Sequence, residues 1–135
     1  MKPSKIEFDR KTNDFLVNGK PLLEHLQKHE SVVADRYVVS ILSQTGACDR
    51  LLGTTISDLQ EGHVALYLCS HCGGYDGNPI GVDLCFEGDR VIWKDIGYYS
   101  DFSDEAPRLF NNVRQYIFDL AQYRQLLEGL KIYEP

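Results

Sequence analysis

The residues best suited to chemistry are two cysteines with the spacing of a metal-binding or redox loop, Cys69 and Cys72. A protein-bound zinc ion needs four tetrahedral ligands, or three ligands and a water molecule. His71 lies inside the pair, and Cys85 follows Cys72 by 13 positions with no second cysteine beside it, so the ligand set is incomplete. We therefore expect both thiols to be reduced and free of metal. A zinc-binding domain built on Cys69 and Cys72, with His71 and Cys85 as further ligands, is the alternative.

Dithiol redox chemistry is disfavoured by the surroundings of the same pair. A reactive thiol is usually activated at a helix N-terminus, where the helix dipole lowers its pKa. Here the pair follows a β-rich segment and precedes the turn-forming run Gly73-Gly74-Tyr75-Asp76-Gly77. Nearby carboxylates would raise a thiol pKa, and buried reduced cysteines are a common structural feature.

Other arrangements of catalytic residues are weaker still. The sequence contains no phosphate-binding glycine loop, no nucleophile elbow and no zinc-protease helix motif. His25 and His29 are four residues apart on a predicted helix, but no carboxylate completes a metal set with them. Asp83 and Glu87 could flank a cleft, although solvated charges are more usual on a hairpin. We therefore expect a protein that is not an enzyme and carries no cofactor.

The negative charge is concentrated in the middle of the chain. The net charge is −6, and residues 63–105 carry eight acidic and two basic side chains, which amounts to the whole excess. Such a surface repels nucleic-acid backbones and attracts a basic protein. Ordinary solvated loops and strand edges would also account for it.

Aromatic residues are interleaved with these carboxylates, as in the anchor regions of protein interfaces. Trp93 is expected to be buried on a strand, whereas Tyr98 and Tyr99 are expected in an exposed loop. The candidate partner-binding residues are Asp76, Asp83, Glu87, Asp95, Tyr98, Tyr99, Asp101, Asp104 and Glu105.

The pattern of apolar residues predicts a single α+β domain over residues 1–135. Residues 63–96 read as a three-stranded antiparallel meander, in which one face of the second strand points to the core. The residues on that face are Ile80, Val82, Leu84 and Phe86. An N-terminal hairpin (5–8 with 15–17) and a late strand (114–118) complete a twisted antiparallel sheet, with one or two helices packed on one face.

Two helices are predicted from their ends. Pro21 suits a first helical position before an apolar stripe that runs to about Glu30. Asp119 is placed to cap a second helix, with Gln122 completing a pair like a capping box. The stretch 31–52 fits either strand or helix. No run of about 18 apolar residues occurs and no apolar segment follows the N-terminal lysines, so we expect a cytoplasmic protein with no membrane contact.

Residues 51–99 resemble a family of small, uncharacterised bacterial proteins. The resemblance rests on Leu51-Leu52-Gly53, on Cys69-x-x-Cys72-Gly73 and on Val91-x-Trp93-x-Asp95-x-Gly97. The family pattern continues with Asp and then Gly-Cys-Gly, where this chain has Gly74 and, further on, Gly77-Asn78. The resemblance implies a shared α+β fold and no known activity. The missing third cysteine counts further against a metal site.

The sequence thus favours a protein-binding function. Its most concrete form is an immunity protein that neutralises a basic bacterial toxin through the acidic and aromatic segment 76–105, by analogy with other small acidic bacterial domains.

Overall fold

The computed structural model describes residues 2–32, 39–59, 62–68, 78–99 and 106–135. Its helices are α1 (Leu22–Glu30), α2 (Ala47–Leu52) and α3 (Leu120–Leu130), with 3₁₀ turns at Ile41–Ser43 and Lys131–Tyr133. Its strands are β1 (Ile6–Asp9), β2 (Asp14–Val17), β3 (Lys20–Pro21), β4 (Val39–Ser40), β5 (His63–Leu68), β6 (Ile80–Glu87), β7 (Arg90–Tyr98), β8 (Arg108–Leu109) and β9 (Gln115–Asp119). The α+β prediction is confirmed.

The N-terminal hairpin forms a small sheet of its own. β1 and β2 pair antiparallel, with Phe8 opposite Phe15, and β3 adds to the other edge of β2. The buried carboxylate of Asp14 accepts hydrogen bonds from the Leu23 N–H at 3.0 Å, from the Phe15 N–H at 2.8 Å and from the Tyr67 hydroxyl. Pro21 was predicted as the first residue of the helix, but α1 begins at Leu22 and Pro21 provides no side-chain cap. Asp14 of the hairpin therefore supplies the acceptor for the first turn of α1.

The larger sheet contains six described strands. Its order is β4-β5-β6-β7, and the free edge of β7 pairs with β9 along its first half and with β8 at its last two residues. The predicted meander and late strand are therefore confirmed. The Ser4 N–H donates to the Ile117 carbonyl at 2.7 Å, and this parallel bridge joins the hairpin to β9.

An irregularity in β7 changes the expected facing of side chains. Gly81 pairs with Gly97 and Asp83 with Lys94, so two residues of β7 lie opposite the single residue Val82. One of the two is Asp95, which has a left-handed φ of 51°, so this is a β-bulge.

The prediction for β6 holds for three of its four apolar residues. Ile80 and Val82 are buried, and Leu84 is partly buried against the core. The prediction for Phe86 was wrong, because its side chain is 41% exposed. A Cβ at Gly53 would come within 2.7 Å of the Phe86 ring, so that ring lies against the end of α2, where the core layer stops.

The main core is built around Trp93, which is buried as expected. Its ring makes edge contacts with Phe15, Phe118 and Tyr123. Its indole N–H donates to the Tyr123 hydroxyl at 3.2 Å, and that hydroxyl donates to the Leu51 carbonyl at 2.6 Å. The polar atoms of two large rings are therefore satisfied inside the core, as burial requires.

The C-terminal helix α3 begins as predicted, but its capping pair differs. The Asp119 carboxylate accepts from the Gln122 N–H at 3.0 Å. The Gln122 side chain does not return to Asp119, since its amide group accepts from the Ile6 N–H at 3.2 Å and donates to the Ile6 carbonyl. Tyr123 and Leu127 provide the buried stripe.

Glu30, at the end of α1, holds the loop that precedes β9. Its carboxylate accepts from the backbone N–H groups of Asn112 at 2.6 Å, Asn111 at 3.3 Å and Val113. The ambiguous stretch 31–52 forms β4, a 3₁₀ turn and α2 in its described part. None of the helices in the described ranges has the length and apolar character needed to cross a bilayer.

Candidate functional site

The structure describes five of the nine candidate partner-binding residues. Asp83, Glu87, Asp95, Tyr98 and Tyr99 lie on β6 and β7 or directly after them. The remaining four lie outside the described residues: Asp76, Asp101, Asp104 and Glu105.

The register of the sheet separates Glu87 from the tyrosines. Glu87 pairs with Arg90 beside the β6–β7 turn, whereas Tyr98 pairs with Ile80 at the opposite end of the same strands. Seven residues of strand correspond to about 23 Å. Glu87 therefore does not share a compact surface with Tyr98.

Asp83 lies in the middle of a cross-strand row. It pairs with His63 on β5 and with Lys94 on β7, and its Oδ2 is 3.8 Å from the Lys94 Nζ. Contacts with the Cys85 thiol and with Asp83 raise the pKa of Lys94. The Asp83 carboxylate thus lies between two basic side chains, which reduces its contribution to an acidic surface.

Tyr99 is a buried residue, and the prediction of an exposed loop there was wrong. Its side chain is 1% exposed, and its hydroxyl donates to the Asp95 carbonyl at 2.6 Å. Its ring lies 5.2 Å from the His63 ring, and a Cβ at Gly81 would come within 3.0 Å of it. Burial and the Asp95 and Asp83 carboxylates raise the pKa of Tyr99. The residue supports the bulge of β7 and is not available as an interface anchor.

Tyr98 and Asp95 remain accessible. Asp95 is exposed, and Tyr98 is half-buried between Phe110, in an edge contact at 5.2 Å, and Arg108. The guanidinium of Arg108 lies 5.3 Å from the centre of the Tyr98 ring, in a cation–π arrangement. Tyr98 is therefore the aromatic residue of the candidate set that could meet a partner.

Of the candidate metal ligands, the structure describes only Cys85. Cys69, His71 and Cys72 lie outside the described residues, and Cys85 has a free, half-buried thiol whose pKa is raised by burial and by Asp83. Cys85 is five residues along β6 from Ile80, or about 17 Å. Ile80 pairs with Tyr67, near the end of β5.

Ligands of one zinc ion bring their sulfur atoms within about 4 Å of each other. Among the described residues, no group of three or more His, Cys, Asp or Glu side chains is arranged to hold a metal ion.

Two surface features were not anticipated from the sequence. Ile56, which is 87% exposed, and Phe86 line a cleft of about 440 Å³ beside Gly53. A second cleft of about 440 Å³ lies between α1 and β9, and Lys20 and His25 are among its lining residues. The spacing of His25, Lys28 and His29 at i, i+3 and i+4 was the available signal for the second cleft, since it places three basic groups on one helix face.

Comparison with protein-family models, with curated proteins and with solved structures gives no match for this chain. The functional argument therefore depends on the geometry of the chain itself.

Proposed function

We propose that this domain binds a positively charged protein at the acidic end of its larger sheet. The acidic end comprises Asp83, Asp95 and Tyr98 together with the acidic residues of the two chain segments attached there, which are Asp76, Asp101, Asp104 and Glu105. The observation that carries the proposal is the pairing of Ile80 with Tyr98. This pairing places the start of β6, which follows segment 69–77, next to the end of β7, which precedes segment 100–105.

The charge balance supports a basic partner. Of the described residues there, Asp83 and Asp95 are acidic and Lys94 and Arg108 are basic. The attached segments 69–77 and 100–105 add four acidic residues and no lysine or arginine to the sequence. Lys94 is already engaged with Asp83, and Arg108 lies over the Tyr98 ring. An excess of carboxylates at one end of a sheet attracts a cationic protein during diffusion and speeds its association at low salt.

The most specific form of the proposal is an immunity protein that neutralises a basic bacterial toxin. Such proteins block their targets by occupying a surface, so they need complementary charge and shape and no catalytic residues. Immunity genes lie beside the toxin genes that they neutralise, so the product of a neighbouring gene is the first partner to test. Coexpression with the domain is expected to restore growth of cells that produce this toxin.

Binding kinetics test the docking surface directly. A partner captured from the native host is first identified, and its association rate is then measured at about 0.05 M and about 0.5 M salt. The variant D101N/D104N is expected to slow association at low salt by about three- to tenfold, with little change at high salt. The matched control is E87Q/D89N, which removes the same charge at the opposite end of the strands.

The two variants separate the possible outcomes. A slower rate for D101N/D104N alone supports docking at the acidic end. Equal effects of both variants would indicate unspecific attraction and contradict the proposed location. A larger effect of E87Q/D89N would show that the partner binds at the β6–β7 turn and would contradict the proposed location. An acidic partner would overturn the proposal altogether.

A further inference from the structure

The cleft between α1 and β9 combines apolar walls with a basic rim. Its volume is about 440 Å³, within the range of about 300–1,000 Å³ that is typical of small-molecule sites. Val17, Pro21 and Leu22 line it from β2, β3 and the start of α1, and the partly exposed Pro21 supplies apolar surface. The opposite wall is Tyr116 on β9, whose ring centre lies 6.3 Å from that of His25.

The rim of the cleft is basic although the protein as a whole is acidic. Lys20, His25, Lys28 and His29 line it, against the single carboxylate of Glu24. Within the described part of the chain, neither Lys20 nor Lys28 forms an ion pair. The nearest further carboxylate on α1 is that of Glu30, which is occupied by the N–H groups of the loop before β9. Among the described residues, Lys20 and Lys28 therefore have no ion-pair partner, and Glu24 is the carboxylate that lines the cleft with them.

Tyr116 contributes its ring to this site, with the ring centre 6.3 Å from that of His25. Its hydroxyl is buried and has no hydrogen-bond partner among the described residues, so it is not exposed to the cleft. The ring therefore offers a flat apolar surface to a ligand.

From these features we infer that the cleft binds a small organic anion, with a phosphate or carboxylate group held by Lys20 and Lys28 and a flat apolar body against Tyr116 and Pro21. This site is separate from the acidic end and goes beyond the proposed docking function. Neither proposal depends on the other.

The titration of His25 provides a local reporter of occupancy. Burial is the main cause that lowers the pKa of His25, and the neighbouring His29, Lys20 and Lys28 lower it further. The Glu30 carboxylate, also on α1, acts in the opposite direction and raises this pKa, and the ring of Tyr116 on β9 lies against His25. An anion in the cleft would favour the charged imidazolium and raise this pKa.

Binding is tested on the full chain by NMR, with four probes that separate charge from shape. Phenyl phosphate and benzoate carry the anionic group and the flat body, inorganic phosphate carries only the charge, and benzyl alcohol carries only the body. Phenyl phosphate or benzoate, at concentrations up to about 10 mM, is expected to shift the signals of α1 and β9 and to raise the pKa of His25. Comparison of these two probes shows which anionic group is preferred.

Variants then assign the contacts. K20Q/K28Q is expected to weaken binding of the better probe by about tenfold or more. The matched control K11Q/R124Q removes two positive charges, one at the opposite end of the hairpin and one on α3, and is expected to leave binding unchanged. All altered lysine and arginine side chains are exposed, so the fold should persist, and circular dichroism checks this.

Three results would overturn the inference. They are the absence of binding by both aromatic anions, equal weakening by K20Q/K28Q and K11Q/R124Q, and equal binding of benzyl alcohol. Preference for inorganic phosphate over phenyl phosphate would also contradict the apolar contact with Tyr116 and Pro21.

Discussion

The hydroxyl of Tyr99 donates a hydrogen bond to the carbonyl oxygen of Asp95 at 2.6 Å, across the bulge in β7. Asp95 has a left-handed backbone conformation, which is uncommon for a residue other than glycine. The contact therefore ties a strained backbone position to a buried ring. It explains why Tyr99, which the sequence suggested as an interface residue, is instead part of the fold.

Replacement of Tyr99 should accordingly change stability more than binding. Tyr99→Phe removes the hydroxyl and is expected to lower the free energy of unfolding by about 0.5–1.5 kcal/mol. Tyr99→Ala also leaves a cavity and is expected to cost about 3–5 kcal/mol. Urea denaturation measures both. An unfolding midpoint of Tyr99→Ala equal to that of the wild type would contradict the structural role. Faster release of a bound partner by a Tyr99 variant that is as stable as the wild type would contradict it as well.

Asp14 makes stability depend on pH. Burial raises the pKa of Asp14 above its ordinary value of 3.8, although the Tyr67 hydroxyl and two backbone N–H groups act against this shift. The folded protein therefore binds a proton here more tightly than the unfolded chain. The stabilisation due to Asp14 is fully present below about pH 3.8 and is lost as the pH rises through the folded-state pKa.

The variant Asp14→Asn cannot titrate and tests this sign. The unfolding free energy of the wild type minus that of Asp14→Asn is expected to decrease as the pH is raised from about 3 to about 6. Carboxyl NMR of Tyr67→Phe provides a second check, because loss of the hydroxyl donor should raise the pKa of Asp14 further. A constant free-energy difference across this range would contradict the raised pKa.

Glu30 should matter more than other carboxylates of the same helix. Glu30→Gln removes the negative charge that accepts three backbone hydrogen bonds and is expected to cost about 1–3 kcal/mol. Glu24→Gln changes an exposed carboxylate in the first turn of α1 and is expected to cost less than about 1 kcal/mol. Thermal or urea unfolding of the two variants measures the difference, and equal losses would show that the loop does not depend on Glu30.

Cys48 should be unreactive in the native protein. Burial and the Glu134 carboxylate raise the pKa of Cys48 to about 12, so at pH 8 only about one thiol in 10,000 is ionised. Peptide mapping after iodoacetamide treatment is expected to show slower labelling of Cys48 than of the half-buried Cys85. Glu134→Gln should speed the labelling of Cys48, because it removes a charge that disfavours the thiolate. Equal labelling of Cys48 and Cys85 in the wild type would contradict the predicted protection.

Zinc content decides between the two readings of the thiol pair. Protein purified without added metal is expected to contain much less than one zinc ion per chain, because the sequence around Cys69 and Cys72 provides an incomplete ligand set. Elemental analysis measures this, with the variant Cys69→Ser as the control. Stoichiometric zinc in the wild type that disappears in Cys69→Ser would restore the metal-binding alternative.

The sequence predictions were correct where an element depends on residues close together in the chain, and wrong where it depends on residues far apart. The hairpin, the meander and the cap at Asp119 were predicted correctly because each depends on residues close together in the chain. The bulge at Asp95 depends on how β6 and β7 pair, and a pattern that assumes strict alternation does not contain it. Tyr99 looked exposed because its covering groups, His63 and Gly81, come from other strands.

The candidate sites follow the same rule. The charge excess in residues 63–105 is visible in the sequence, but its division between two ends of a sheet depends on strand register. The basic cleft was missed because it joins Lys20 and α1 to Tyr116, which is almost 100 residues away.

The hydrogen bonds between Gln122 and Ile6 and between Ser4 and Ile117 also set an order of events during synthesis. Ser4 and Ile6 meet these partners only after residues 117–122 have left the ribosome, and the same is true of the β7 edge that β9 covers. Until then the apolar side of the meander has neither α3 nor the edge strand against it. A nascent chain that stalls before Gln115 therefore exposes an unpaired strand edge to any neighbour able to extend it.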